Sequence, residues 1–429
     1  MQLTMNSEKS KNESKSSTLK WEVHRIGEVC KTGAGGTPLK SYKEYYEGGQ
    51  IPWLLSGEVA QGEIFESKNF ITQIGLENSS ARIFPIDTVL VAMYGATAGQ
   101  VGILRFEAAT NQAVCGILPN KNFIPKFIYY AILSKKEELI SKAAGNAQPN
   151  ISQIKIKDTE IPVPPLSEQK RIVSIVDEAF EGIDRAIANT EKNLANTREL
   201  FENYSTTIFT HKGDGWNDMR LGDVCEKVEY GSSAKSLSQG DVPVIRMGNI
   251  QNRAIDWSDL VYTTDLEEIN KYLLKNNDVL FNRTNSDAHV GKSAIYKSEH
   301  PAIFAGYLIR IHRKEELIDA DFLNFYLNSF PAREYGKSVM SRSVNQANIN
   351  GTKLKEYPIS LPSVAIQQQI VEKLNFLLTE TQRLEAIYKQ KLTALKELKQ
   401  SILQKAFTGE LTADTATQTI KTTKGAISV

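Results

Sequence analysis

The side chains best suited to specific chemistry lie in four short polar loops, and the chemistry they suit is hydrogen bonding to the edges of flat heterocycles. KAAGNAQPNISQIK (142–155) presents Lys142, Asn146, Gln148 and Asn150, and KSVMSRSVNQANINGTK (337–353) presents Lys337, Arg342, Ser343, Asn345, Gln346 and Asn348. FNRTNSDAHVGK (281–292) adds Asn282, Arg283, Asn285, His289 and Lys292, and AMYGATAGQVG (92–102) adds Tyr94, Thr97 and Gln100. Asn and Gln make paired hydrogen bonds with adenine N6/N7, and Arg does so with guanine O6/N7. Loops rich in Asn and Ser are also ordinary solvated turns, so these segments carry weight together and not residue by residue.

Catalytic groupings are missing from the sequence. GAGGTP (33–38) and YGATAG (94–99) lack the Lys-Ser/Thr ending of a phosphate loop and read as turns with positive φ. The five histidines, His24, His211, His289, His300 and His312, have no metal-ligand spacing. Cys30, Cys115 and Cys225 form no C-x-x-C pair, so neither a disulfide framework nor a zinc site is expected. There is no G-x-S-x-G elbow and no N-P-P-Y or D-P-P-Y turn of the kind that grips a flipped base for amino methylation. No catalytic or metal-binding residue is assigned, and the chain is expected not to be an enzyme. No run approaches a membrane span, and the start MQLTMNSEKSKNESKSS lacks a signal peptide's apolar core, so a cytoplasmic protein with no membrane contact is expected.

The elements that must position these loops are written twice. WEVHRIGEVCK (21–31) and WNDMRLGDVCE (216–226) share Trp, Arg, Gly, Val and Cys at a displacement of 195 residues. The match continues through IPWL (51–54) and VPVI (242–245), DTVL (87–90) and NDVL (277–280), and QPNIS (148–152) and QANIN (346–350). At 429 residues the chain should hold two to four packed units, and a repeat this long is a duplicated domain with a helix attached. Apolar runs at Thr88–Met93, Val101–Phe106, Val279–Phe281 and Tyr307–Ile311 predict strands, and amphipathic stretches at Pro125–Ser141 and Asp321–Ser329 predict helices. Each repeat is thus an α+β (mixed α/β) globule.

Each globule is followed by a long helix. After Pro164-Pro165 a helix should run to about Thr210, with Val173, Phe180, Ile187, Leu194, Phe201 and Ile208 at seven-residue spacing. Val176, Ile183, Thr190, Thr197 and Tyr204 supply its second seam row. After Pro362 a second helix should run to about Phe407, with one row of Ile370, Leu377, Leu384 and Leu398 and another of Leu374, Tyr388, Leu395 and Ile402. Residues 166–211 hold five basic and eight acidic side chains, and 365–408 hold seven and four, so the two helices complement each other. Paired antiparallel, each would be a rod of roughly 65 Å with a globule at either end and a pseudo-twofold axis between them. Two like heads on a fixed spacer suit a ligand with spaced, repeated sites, of which double-stranded DNA is the obvious case.

GEVCKTGAGGTP, IPWLLSGEV, LVAMYGATAGQVGIL, QPNISQIKIKDTEIPVPPLSEQKRIV and LKELKQSILQKAFTGEL together resemble the specificity (S) subunit of type I restriction-modification systems, from about Leu19 to Leu411. The resemblance implies two target recognition domains (19–165 and 212–364) joined by spacer helices (166–211 and 365–408), with flexible tails at 1–18 and 409–429. It also implies that each domain reads one half of a bipartite DNA site. Two methyltransferase (M) subunits would clasp the helices and methylate adenine with S-adenosylmethionine, and restriction/translocase (R) subunits using ATP and Mg would join them. No cofactor is then expected on this chain. The halves differ at NQAVCGI (111–117) against FAGYLIRI (304–311) and where the glycine loop at 95–99 becomes the polar TNSDA, which implies an asymmetric target. The rival reading is a two-headed coiled-coil scaffold that binds proteins and no nucleic acid. Balanced heads suit it, with 14 basic and 14 acidic side chains in 21–165 and 19 and 20 in 212–364.

Overall fold

In this computed structural model, which describes residues 21–143, 150–343 and 346–412, the duplication is a duplication of topology. One compact unit takes the chain to Thr190 and again from Lys391, and the other takes Glu191–Gln390. In the first unit the main sheet runs Thr32–Ala34, Val114–Ile117, Val89–Ala92, Val101–Leu104, Gly62–Ile64, antiparallel but for its last pair. In the second it runs Cys225–Tyr230, Leu308–Arg313, Val279–Asn282, Ser293–Ile295, all antiparallel. A smaller sheet recurs as well: Ile51–Leu54 lies parallel to Ala108–Thr110, as Val242–Ile245 does to Ile303–Phe304.

The predicted strands are unbroken apolar runs because both faces of the central strand are covered. Val89 and Val91 pack on Phe127 and Ile132 of the helix Pro125–Ser134, while Leu90 and Ala92 face Leu54, Phe84 and Leu104. Val279 and Phe281 likewise meet Phe322 and Leu323 of the helix Ala320–Leu327, while Leu280 meets Ile245 and Phe304. The predicted helix at 125–141 is two, broken at Lys135.

The long helices span Leu166–Thr210 and Val364–Thr408. Within the first unit Ile172 and Val176 join Leu403 and Ala406 in one core, and farther along Asp184 takes Lys399 at 2.5 Å. Within the second unit Arg198 binds both oxygens of Glu385, at 3.0 and 3.2 Å, and Phe201 packs on Leu374. In each unit residue numbers rise along one helix as they fall along its partner, so the pairing is antiparallel. Charge complementarity appears at Asp184–Lys399, whereas Arg198–Glu385 runs with the opposite polarity.

The seam keeps most of its predicted members. Val176, Ile183, Phe201, Leu374 and Leu395 are buried, and Val173, Phe180, Ile187, Leu194, Ile370, Leu377, Leu384, Tyr388, Leu398 and Ile402 flank them half-buried. Tyr204 is the exception, 39% exposed. Buried positions step by seven through Val176, Ile183 and Thr190, then by eleven to Phe201, with Ser205 next. An eleven-residue step realigns the stripe with the natural 3.6-residue turn and rotates Tyr204 into solvent. On the second helix buried Thr381 fills the position between Leu374 and Tyr388 that apolar spacing passed over.

A buried glutamine joins each head to its own helix. Gln169 Oε1 accepts from the Ile124 N–H at 3.0 Å, at the start of the helix Pro125–Ser134, while Nε2 donates to Asn122 O and Pro164 O, both at 3.0 Å. Gln367 repeats the pattern, accepting from Asp319 N–H at the cap of Ala320–Leu327 and donating to Leu317 O and Pro362 O, all at 2.9 Å. Other head-to-helix ties differ. In the first unit Lys126 bridges Glu63 and Asp177, and Asp177 also accepts from the Tyr130 hydroxyl at 2.5 Å. In the second, Arg253 lays its guanidinium 4.6 Å from the Phe201 ring centroid and pairs with Glu202.

Replacing Gln367 by Ala strands one buried N–H and two carbonyls, each costing of order 1 kcal/mol or more when left unpaired. Gln367→Ala should therefore lower unfolding stability by about 2–4 kcal/mol, read from urea titration, while exposed Gln368→Ala changes it by less than about 0.5 kcal/mol.

Candidate nucleic-acid interface

The chain leaves the central strand of each main sheet through the same backbone hydrogen bonds. In the first unit Met93 N–H donates to Ala113 O, Ile151 N–H to Met93 O, and Gly35 N–H to Val114 O. In the second, Arg283 N–H donates to Tyr307 O, Ile349 N–H to Arg283 O, and Gly231 N–H to Leu308 O. Tyr94 then bridges to Asn150 as Thr284 pairs with Asn348. The loops read as separate candidates in the sequence thus meet in pairs at one end of each sheet.

In the second unit the meeting is a small three-stranded sheet, Thr284–Asn285 against Gln346–Asn348 against Ser341–Ser343. It collects Asn285, Arg342, Ser343, Gln346 and Asn348, with Arg342, Ser343 and Gln346 exposed. Arg342 Nε donates to Asp287 Oδ2 at 2.8 Å, Asn348 Nδ2 to Thr284 Oγ1 at 2.7 Å, and Ser343 Oγ to Gln346 O at 3.1 Å. His289 is exposed in the turn that follows. Lys292 is half-buried, and desolvation followed by the charge of Arg333 lowers its pKa. Arg333 donates to Ala288 O and Lys353 Nζ to Ser341 Oγ, so cations border this sheet.

Around the equivalent end of the first sheet, Tyr94 and Asn150 are exposed, and Thr97 Oγ1 donates back to Tyr94 O at 3.3 Å. Gln100 is half-buried beside them. Gly95 and Gly99 take φ of 70° and 77°, the left-handed turn expected of YGATAG. GAGGTP is different: a Cβ on Gly36 would lie 2.2 Å from the Ser80 carbonyl carbon, so tight packing and not positive φ requires glycine there. Asn146, Gln148 and Asn345 lie outside the described residues.

One sequence candidate is buried in the fold, and two others are held by partners within it. Asn282 is fully buried with its Nδ2 on Met247 O at 3.3 Å, because the strand Val279–Asn282 runs one residue beyond the predicted Phe281. Arg283 stacks 4.8 Å from the Tyr230 ring centroid and donates through Nη1 to Gly306 O at 3.2 Å. Lys142 is paired with Glu138 at 2.5 Å. Conversely, Thr37, Gln112, Tyr230 and Tyr307 line the sheet ends without belonging to the four polar loops. Thr37 donates to Gln112 from loops 75 residues apart, a contact that spacing does not reveal. Tyr307 opens a predicted strand, and only the folded chain reveals its exposure.

Charge is also held inside the second sheet. Arg310, buried, donates to Glu229 Oε2 and, at 3.1 Å, to Asp278 Oδ2, and His312 sits 2.9 Å from the same Glu229 oxygen. Gly116 holds the Arg310 position in the first unit, where Phe84 and Thr88 fill the space. Partial burial opposes the Glu229 carboxylate, but hydrogen bonds from Arg310 and His312 and the charges of Arg310 and Lys227 outweigh it and bring its pKa down to about 2.

Among the described residues, no cluster of three or more His, Cys, Asp or Glu could hold a metal ion, and no helix is long and apolar enough to cross a membrane.

The family model for the type I restriction modification DNA specificity domain matches residues 18–195 and again 213–394. The chain belongs to that family. It is 28% identical over 419 residues to the StySPI specificity subunit of Salmonella potsdam, covering 92% of this chain and 89% of that protein. With the MjaIX specificity subunit of Methanocaldococcus jannaschii it shares 25% over 421 residues, covering 91% and 93%. A chain solved in work on complex assembly and conformational transition of the type I R-M system matches with a TM-score of 0.76 at 21% identity, covering 92% of this chain and 99% of that one. The HsdS subunit from Thermoanaerobacter tengcongensis matches at 0.56 and 20%, covering 91% and 97%. These likenesses show that the specificity-subunit fold extends over both repeats.

Because the Glu229 pKa is depressed in the folded protein, its contribution is present above the usual carboxylate range and fades as pH falls from about 4.5 towards about 2. Allowing for the partial exposure of Glu229, this amounts to about 1–2 kcal/mol. Glu229→Gln should remove that part of the acid dependence, measured as the urea midpoint across the range followed by tryptophan fluorescence.

Proposed function

We propose that this chain is the DNA sequence-recognition subunit of a type I restriction-modification complex, and that each repeat reads one part of a bipartite target. The observation that carries this reading is the recurrence of one sheet-end skeleton, with different exposed side chains, in a chain of the specificity-domain family. Asn, Gln, Tyr and Arg side chains at those ends supply the donors and acceptors that base edges need, and the bordering cations suit phosphates. Unlike side chains in the two halves imply an asymmetric target.

Methylation, ATP hydrolysis and cleavage belong in this proposal to partner subunits. Two methyltransferase subunits would carry S-adenosylmethionine and place it over adenines, and restriction/translocase subunits would supply the ATP- and Mg-dependent steps. This chain contributes recognition and an antiparallel helical pair for assembly. Its place of action is then the cytoplasm, where the host DNA lies.

The test is binding by the complex with its methyltransferase subunits, using a site found by mapping methylation in the host genome. The bipartite duplex should bind at least about a thousandfold tighter than random DNA at fixed salt. Affinity should fall steeply with salt, in proportion to the phosphates neutralised. A flat sequence preference together with salt-insensitive assembly would favour the protein scaffold instead.

A further inference from the structure

The two sheet ends can be compared position by position, because the same backbone hydrogen bonds fix their register. Cys115 pairs with Ala34 as Ile309 pairs with Tyr230, and Leu90 pairs with Gly116 as Leu280 pairs with Arg310. Counting out from these pairs, Ala34, Met93 and Ala113 of the first unit occupy the places of Tyr230, Arg283 and Tyr307 of the second. The first set offers methyl groups and a buried thioether. The second offers two tyrosines, 41% and 51% exposed, and a half-buried guanidinium that lies on the Tyr230 ring.

Resting on the DNA-reading function above, we propose that these three register positions, held by Tyr230, Arg283 and Tyr307, determine which base pairs the second half of the target contains. Single exposed aromatics are common on protein surfaces and need no explanation. Here, however, one ring lies on the arginine and the other belongs to the residue whose carbonyl accepts from the Arg283 N–H, and the guanidinium is held twice, by the Tyr230 ring and by Gly306 O. Tyr230 is itself fixed, its hydroxyl accepting from Gly351 N–H at 2.8 Å. A planar cation pinned in this way has lost its conformational freedom before any ligand arrives, which favours discrimination over loose attraction. Arg283 Nε is enclosed and has no hydrogen-bond acceptor among the described residues. Tyr307, immediately before the strand Leu308–Arg313, accepts through its carbonyl from the Arg283 N–H, with Asn285 and Asn348 beyond it on the small sheet. In the first unit no such group exists at these points, and the polar surface there is Tyr94 with the Thr37–Gln112 pair.

The experiment uses the whole complex with its methyltransferase subunits and pools of duplex in which one half-site at a time is randomised, at fixed salt. The triple variant Tyr230→Ala, Arg283→Met, Tyr307→Ala gives the second unit the first unit's set. It should shift or erase base preference at one or more positions of the second half-site by at least about tenfold, with the first half-site and random-DNA affinity unchanged. Tyr307→Ala alone, at an exposed position, should change preference at one base pair and covers the case in which the triple variant fails to fold. An unchanged second half-site in folded variants overturns the inference and leaves the DNA-reading function standing. Equal loss at both half-sites also overturns it. If the unaltered complex shows no sequence preference, both readings fall.

Discussion

The rest of the structure depends on a constraint at the start of each long helix, where one fully buried amide must satisfy three backbone groups at once. Gln169 and Gln367 each turn back over their own helix start and hold the first turn of a head helix from the other side. Burying a primary amide is tolerable only when its donors and acceptor are met, and each clamp meets them with backbone atoms whose positions the fold has already set. Each head is thereby tied to the helix that follows it, in the same manner in both repeats. The helices pass on that alignment because they pack antiparallel within each unit, along a seam of Val176, Ile183 and Leu403 in one and Phe201 and Leu374 in the other.

Duplication with divergence explains why shared and unshared features fall where they do. What recurs is strand order and the sheet-end hydrogen bonds of the backbone, together with the two buried glutamine side chains that clamp it. What differs is most of the other side chains projecting from that backbone. Arg310 with Glu229 and Asp278 fills a space that Gly116, Phe84 and Thr88 fill in the first unit. Arg253 on Phe201 ties the second head to the long helix that precedes it, whereas Lys126 and Asp177 tie the first head to the long helix that follows it. Stability is thus reached by different local chemistry on one scaffold, and the exposed sheet ends are free to differ in what they present.

The sequence by itself determined the duplication, the two long helices to within a residue or two, the central strands and the family. Those features are periodic or repeated, and a period survives without knowledge of what lies across it. It also placed Asn285, Ser343, Gln346 and Asn348 in loops that do meet at one sheet end. Tertiary structure decided the rest. Only the folded chain shows that Asn282 is buried and that Arg283 is pinned on Tyr230, because the covered strand runs one residue beyond its apolar run and the ring that holds Arg283 comes from a distant segment. Tyr204 leaves the seam for a similar reason, an eleven-residue step that a strict seven-residue count does not contain. Thr37 with Gln112, and the backbone beside Tyr230 with that beside Tyr307, are brought together from segments about 75 residues apart, so their closeness is a product of packing and of nothing local in the chain.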